Sequence, residues 1–316
     1  MKRHLSVLIF YIATFLIFCS SSLALAQGTI TIPLKLMTYN IRHGAGMDDV
    51  LDLDRQAAVI IGANPDIVGL QEVDSCVKRS NRVPEATILG AKTGLHATFG
   101  GAIPLTGGKY GVAILSKKVP ISVHNTPLPG AEKRTLLVCE FEDYVFACTH
   151  LDLNEDSCLA SLPIILEEAA SWDKPFFICG DWNVRPSHSF ITQIKRKCRI
   201  LTSVTENSTN NTFPANNPTK IIDYIACYPR NAYKSKQASV VLNEPVASDH
   251  RPVTVEITLE KEAPVGINEV KHEDELKNDK LYNLLGRQIV TGKSSNGKLP
   301  AGIYVDRNRK RLVVTK

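Results

Sequence analysis

The chain has no pair of cysteines two residues apart, no glycine-rich phosphate loop and, beyond its first 26 residues, no stretch that could span a bilayer. The seven cysteines after residue 26 are odd in number and lack paired spacing. That argues against a disulfide framework and against a thiolate zinc site. Cys139, Cys148, Cys179 and Cys227 sit in apolar strand-like runs, where cysteine serves as a small buried hydrophobe. A single bridge between Cys158 and Cys198 stays open. A basic stripe is also missing, although the whole chain carries +5. Residues 280–316 hold nine Lys or Arg and one Asp, and Lys2 and Arg3 add two more charges, so residues 27–279 carry a net −5. A mildly acidic domain does not track a nucleic-acid backbone, although a bound divalent cation can hold phosphate in its place. Neither disorder nor a collagen-like repeat fits a chain that is 44% hydrophobic. Its 316 residues suffice for one core of roughly 200–250 residues and something small beside it.

The beginning is read as a leader. Lys2, Arg3 and His4 precede an apolar run from Leu5 to Phe18, and a small-residue stretch ends in Ala24-Leu25-Ala26. This is the pattern of a signal peptide over residues 1–26, cut before Gln27, and implies a secreted protein in the periplasm, on the cell surface or outside the cell. A membrane anchor is the alternative, but the apolar core is shorter than the roughly 20 residues a spanning helix needs. A lipoprotein at Cys19 is disfavoured by the bulk of Phe18.

After the leader, apolar periodicity predicts strands at Leu34–Asn40, Ile67–Glu72, Gly111–Ser116, Thr135–Phe141, Tyr144–Thr149, Phe176–Gly180, Ile221–Tyr228, Val240–Leu242 and Pro252–Leu259. Helices are predicted over Leu53–Ala63, Pro84–Lys92, Asp156–Trp172 and Ser187–Lys197. Ser203–Lys220, rich in Asn, Thr and Pro, reads as a surface loop. Alternating helices and strands with a hairpin mixed in predict an α/β sandwich with sheets inside and helices outside. The alternative, a doubly wound parallel sheet, fits the hairpin less well. The catalytic-type domain is expected over 27–260, a charged linker over 261–279 and a β-rich tail over 280–316.

Polar residues collect where these strands end. Tyr39-Asn40, Gln71-Glu72, Thr149-His150-Leu151-Asp152, Gly180-Asp181-Trp182-Asn183, Ile222-Asp223-Tyr224 and Ser248-Asp249-His250 each follow or open an apolar run. Any one alone reads equally as a turn. Six together point to one rim of a layered α/β fold. Carboxylates, amides and two histidines without thiolates suit a hard cation, Mg²⁺ or Mn²⁺, and the attack of water on a phosphate ester.

Asn40 in MTYNIR, Glu72 in LQEVD, YGVAILSK, His150 in THLD, GDWN, IDY and SDHRP occur here in an order that resembles the endonuclease/exonuclease/phosphatase superfamily, over about residues 33–259. The resemblance implies a four-layer αββα sandwich with two central mixed sheets. It also implies roles by position. Glu72, helped by Asn40, would hold the metal. His250, oriented by Asp223, would meet the scissile phosphate or act as acid or base. Asp181 would handle the attacking water with Asn183 beside it. Asp249 would support the metal region or His250, and His150 would stabilise charge on the phosphoryl oxygens. Asp152 departs from members that place an amide at that turn; a carboxylate there would repel phosphate unless it meets metal, a hydroxyl or Arg134. Arg134 is the candidate substrate cation, with Arg79 and Lys109 behind it. Trp182 reads as core packing.

The tail, Tyr282–Arg287 followed by Leu299–Tyr304 and a basic end, resembles the sorting domain of the type nine secretion system; a small adhesive β module is the alternative. The expectation is therefore a secreted, monomeric, Mg²⁺- or Mn²⁺-dependent hydrolase of phosphate esters, a phosphodiesterase before a phosphatase. Nucleic acid is not the favoured substrate, an inactive binding module is the remotest reading, and the tail would engage the secretion machinery.

Overall fold

A computed structural model describes residues 29–262 and, further on, the backbone of 281–283, 288–289, 302–306 and 311–315. The expected leader, and the expected linker beyond residue 262, lie outside the described residues. Thr31–Glu260 form one compact unit.

That unit is built on two sheets. The first contains β1 (Thr29–Asn40), β2 (Ile67–Ser75), β3 (His96–Leu105) and β4 (Gly108–Ser116). The second contains β5 (Ser122–Leu128), β6 (Arg134–Glu140), β7 (Val145–His150), β8 (Phe176–Asp181), β9 (Arg199–Ile200) and β10 (Asp223–Tyr228). The chain then returns to the first sheet with β11 (Ser235–Lys236), β12 (Val240–Val241) and β13 (Val253–Glu262). The strand orders are β11-β13-β1-β2-β4-β3, with β12 also on β13, and β5-β6-β7-β8-β10-β9. Each sheet has one parallel pair near its centre, β1 with β2 and β7 with β8. The helices are α1 (Leu53–Ala63), α2 (Glu85–Thr93), α3 (Glu155–Ala170) and α4 (Ser189–Ile194).

Strand alternation sorts the side chains into three cores. Leu36, Ile67 and Ile114 of the first sheet meet Phe146, Cys148, Phe177, Cys179 and Ile225 of the second. Met37, Tyr39, Val68 and Leu70, one residue out of phase, face Ala57 and Ile60 of α1 and Leu89 of α2. Val145, Ala147, Phe176 and Ile178 face Leu162 and Ile165 of α3 and Phe190 and Ile194 of α4. This is the four-layer sandwich. Each fully buried Leu, Ile or Phe contributes about 1.5–3 kcal/mol by leaving water. The sheets approach closely at Gly69, where a Cβ would collide with the sulfurs of Cys179 and Cys148. The strand cysteines are thus packing residues. Cys158 and Cys198 are also buried and free, so the bridge between them is not formed.

The predicted elements shift at their ends. The last helix is confined to Ser189–Ile194 because the Lys195-Arg196-Lys197 stretch continues only as turns. Strands β3 and β5 were not expected. Among the C-terminal segments, β14 (Leu281–Asn283), β15 (Gln288–Ile289), β16 (Gly302–Asp306) and β17 (Arg311–Thr315) form a separate antiparallel sheet in the order β15-β14-β16-β17.

Candidate active site

The two parallel pairs end at the same rim. In the first sheet Asn40 lies beside Gln71, and the register of β2 against β4 shifts between Leu70 and Val73. Such a bulge re-aims a side chain. Here it turns Glu72 out of the strand with φ +56. In the second sheet His150 lies beside Asp181, and Asp181 beside Asp223. The loop before β13 brings His250 in from the far end of the chain. Ser248 Oγ donates to the Asn40 carbonyl at 2.7 Å, and Gln56 Nε2 donates to the carbonyls of Ile41 and Ala247. Arg42, His43, Glu72 and Asn183 all have φ between 46 and 56. Left-handed backbone of this kind, four of the ten such non-glycine residues among those described, is found at the rim.

Asp181 is the hub. Its Oδ2 accepts from Asn40 Nδ2 at 3.2 Å and lies 3.5 Å from both His150 Nε2 and His250 Nε2. Its Oδ1 accepts the Asn183 N–H at 2.9 Å. Burial pushes its carboxyl well above the usual range against the pull of His250, and Asp223 and Glu72 push the same way.

The two histidines differ. His250 presents Nδ1 to both oxygens of Asp223 at 2.9 and 3.1 Å and Nε2 to Asp181. Burial opposes its charge, but Asp223 and Asp181 outweigh burial and raise it to about 10. As an imidazolium it donates from Nδ1 to Asp223 and turns Nε2 toward Asp181. His150 is held well below its ordinary value by burial, then by Arg134 and His250. Its tautomer follows from its neighbours. The Asn183 Nδ2 donates to the Leu151 carbonyl at 2.9 Å, which fixes the amide, and its second proton faces His150 Nε2 at 3.0 Å. Nε2 is therefore the acceptor and Nδ1 carries the proton, toward Tyr110 Oη at 3.4 Å.

Carboxylates outnumber the cations that could neutralise them. Glu72 lies 3.1 Å from Asn40 Nδ2, and burial followed by Asp249 raises its pKa against that hydrogen bond. Asp249 is half-buried with Arg42 Nε 3.9 Å away. Oxygen donors crowded in this way fit a hard divalent cation. Asn40 turns its nitrogen to Glu72 and Asp181, while its Oδ1 accepts the Arg42 N–H at 3.0 Å. Its nitrogen thus faces the two carboxylates and its oxygen the backbone of Arg42. Among the described residues, Asp181, Asp223 and His250 also bring ligand-type atoms within 4.8 Å of one another. Both ring nitrogens of His250 face carboxylates, Nδ1 within hydrogen-bond distance of Asp223 and Nε2 3.5 Å from Asp181.

Arg134 is buried beside this group. Its Nη2 pairs with Glu132 at 3.1 Å, while among the described residues Nε and Nη1 have no hydrogen-bond partner within normal geometry. Asp152 accepts from the N–H groups of Ala131 and Leu153 at 2.7 and 2.9 Å. Burial works against its charge, but these bonds, Ser157 and Arg134 together hold its carboxyl below the usual range. It is an anchored turn carboxylate, and its charge is offset locally. Arg79 is locked on buried Asp74 at 2.8 and 3.0 Å, with its guanidinium over the Tyr110 ring. Trp182 is fully buried and stacks on Tyr224.

Sequence reasoning missed Tyr110, Arg42, His43 and Phe213. Tyr110 opens YGVAILSK, which reads as a strand. Phe213 lies in the predicted surface loop, yet Asn211 and Thr212 are buried, and the Phe213 ring centre is 4.7 Å from that of His250. That loop forms part of the site wall because backbone bonds from Ala215 to Asp249 and from Arg251 to Thr212 hold it there.

The sequence pattern of the endonuclease/exonuclease/phosphatase family matches residues 37–250. No curated protein matches the chain. Among solved structures, a protein of that family from Bacteroides thetaiotaomicron superposes with a TM-score of 0.59 at 18% identity, covering 73% of this chain and 97% of that one. A mannosyl-6-phosphatase from the same organism gives 0.56 at 18%, covering 71% and 99%. Truncated Caenorhabditis elegans TDP2 gives 0.55 at 18%, covering 72% and 97%. Identity this low speaks for the shared fold.

Proposed function

This chain belongs to the endonuclease/exonuclease/phosphatase family, and from that premise we propose that it hydrolyses phosphate esters with the help of a bound Mg²⁺ or Mn²⁺. The observation that carries the reading is the hub at Asp181 Oδ2, which gathers Asn40, His150 and His250 within 3.5 Å. Such an array holds water and phosphate oxygens and moves a proton between them. Glu72 and Asp249 would hold the cation, which supplies charge to offset the phosphoryl oxygens and the carboxylates.

The chain's own groups divide the remaining work. Asp181, its pKa raised by burial, is matched to taking a proton from the attacking water near neutral pH. Asn183 and Asn40 fix its two oxygens. The His250 imidazolium, held by Asp223, donates to a phosphoryl oxygen as charge develops there. Neutral His150 orients Asn183 and, through Nδ1–H, Tyr110. Arg134 supplies unpaired N–H groups behind His150.

The net −5 of residues 27–279 favours small esters over nucleic acid. A phosphodiester substrate is the first reading. The likeness to a mannosyl-6-phosphatase brings sugar monoesters in as the second. The leader-like residues 1–26 support export, and the basic tail supports an address on the cell surface.

The test is hydrolysis of bis-p-nitrophenyl phosphate and of a panel of sugar phosphates, with Mg²⁺, with Mn²⁺ and with chelator. Activity that needs metal and vanishes in Glu72→Ala and His250→Ala is expected. Activity surviving both substitutions sinks the site, and nicking of plasmid DNA in preference to every small ester sinks the substrate class.

A further inference from the structure

Loop 213–220 is closed at its base by Phe213 and Lys220. They face each other across an antiparallel bridge, each N–H 3.2 Å from the other's carbonyl. The loop is tied to the catalytic stretch by the Ala215 N–H on the Asp249 carbonyl and by Arg251, whose N–H and Nε reach the carbonyls of Thr212 and Ala215. Three residues beyond Lys220 is Asp223, the partner of His250.

This frame sets His250 and the Lys220 ammonium against one ring. The His250 ring centre and the Lys220 Nζ are each 4.7 Å from the centre of the Phe213 ring. The contact holds the ammonium in place without neutralising it. Arg42, Arg79 and Arg134 are paired with Asp49, Asp74 and Glu132. Lys220 is half-buried, and among the described residues it has no carboxylate within ion-pair distance. In a rim dense with carboxylates, an unpaired ammonium held in a fixed place is prepared for an anion that arrives with the substrate.

We propose that Lys220 binds a second anionic group of the substrate, so that the protein selects small phosphate esters carrying another negative charge, bisphosphates and phosphorylated acids, over singly phosphorylated neutral molecules. The inference rests on the phosphoesterase reading for where the first phosphate sits, beside His250. A polynucleotide would need several neutralised phosphates along its track, and one free lysine beside an acidic rim does not supply them.

The test is titration calorimetry on the full chain, with Ca²⁺ replacing the activating metal so that turnover does not consume the ligand. Fructose 1,6-bisphosphate and fructose 6-phosphate are compared. The unmodified protein should bind the bisphosphate at least tenfold more tightly. Lys220→Met keeps the apolar stem on Phe213 and should bind the two within twofold of each other, while Lys220→Arg should restore the preference. The proposal is overturned if the unmodified protein binds both alike, if Lys220→Met keeps the preference, or if folded Lys220→Arg loses it. Competition by a 20-nucleotide single strand at lower concentration than the bisphosphate overturns the small-ester class. The two readings separate cleanly. Preference in binding with no ester hydrolysed leaves Lys220 standing and removes the phosphoesterase reading; hydrolysis without preference does the reverse.

Discussion

The two parallel strand pairs occupy matching places in the two sheets and deliver opposite chemistry. The pair β1–β2 ends in Asn40, Gln71 and Glu72. There the bulge and a left-handed Glu72 push a carboxylate toward Asp249, and Asn40 holds it by one hydrogen bond. The pair β7–β8 ends in His150 and Asp181 without a bulge, and Asp223 on β10 stands in direct register with Asp181. There Asp181, Asp223, Asn183 and His250 lie within 3.5 Å of one another's polar atoms or of His150. The first half is a set of under-neutralised oxygens, the second a closed relay of protons. Under the proposed function, matching scaffolding would separate holding a cation from moving protons, and the bulge would make the difference: a regular β2 would turn Glu72 by the pleat instead.

Breaking the second half should cost most. Asp181→Asn removes the hub's charge and should lower kcat by about 10²–10⁴-fold with the fold retained, measured as metal-dependent ester hydrolysis against a thermal melt. If kcat falls less than tenfold, Asp181 is not the group that handles water. Glu72→Gln keeps the hydrogen-bonding shape of the first half and should instead weaken Mg²⁺ activation more than tenfold, with part of kcat regained at high Mn²⁺. An unchanged metal midpoint beside a lost kcat would erase the division between the halves.

Asp223→Asn sharpens the same comparison through pH. Burial alone would lower the His250 pKa, and Asp223 is the largest influence raising it. Without that charge the imidazolium should deprotonate at lower pH, so the alkaline limb of kcat should move down while Mg²⁺ affinity stays within twofold. A limb that does not move assigns it to another group.

The sequence made the buried halves of this design readable and hid its edges. Strand β1 alternates as predicted because both of its faces are covered, one by the other sheet and one by α1 and α2. Strand β5 is an edge with most of its residues exposed, so no apolar period marks it. Strand β3 carries Gly100, Gly101 and Pro104, which read as turns. In the site, polar residues on strand ends stood out against apolar runs. Phe213 and Lys220 did not, because a loop side chain acquires its meaning only from what it is folded against. The tautomer of His150 was equally hidden, since it is set by a carbonyl and an amide on other elements.

The smallest expected effect lies behind the bulge. Glu85 is buried on α2 and accepts the Asp74 N–H through Oε2 at 2.7 Å, bracing the strand just past Glu72. Burial pushes its carboxyl up to about 8, against that hydrogen bond. A carboxyl raised on folding binds its proton more tightly in the native state. Its contribution is therefore full below the unfolded value and falls as pH rises toward 8. Glu85→Gln keeps an acceptor for Asp74 and removes the ionisation. The substituted protein should match the parent in urea unfolding at pH 5 and exceed it at pH 8.5. Should the parent be the more stable at pH 8.5, the ionised carboxylate is what braces the bulge, and the first half of the rim is held by charge as the second is.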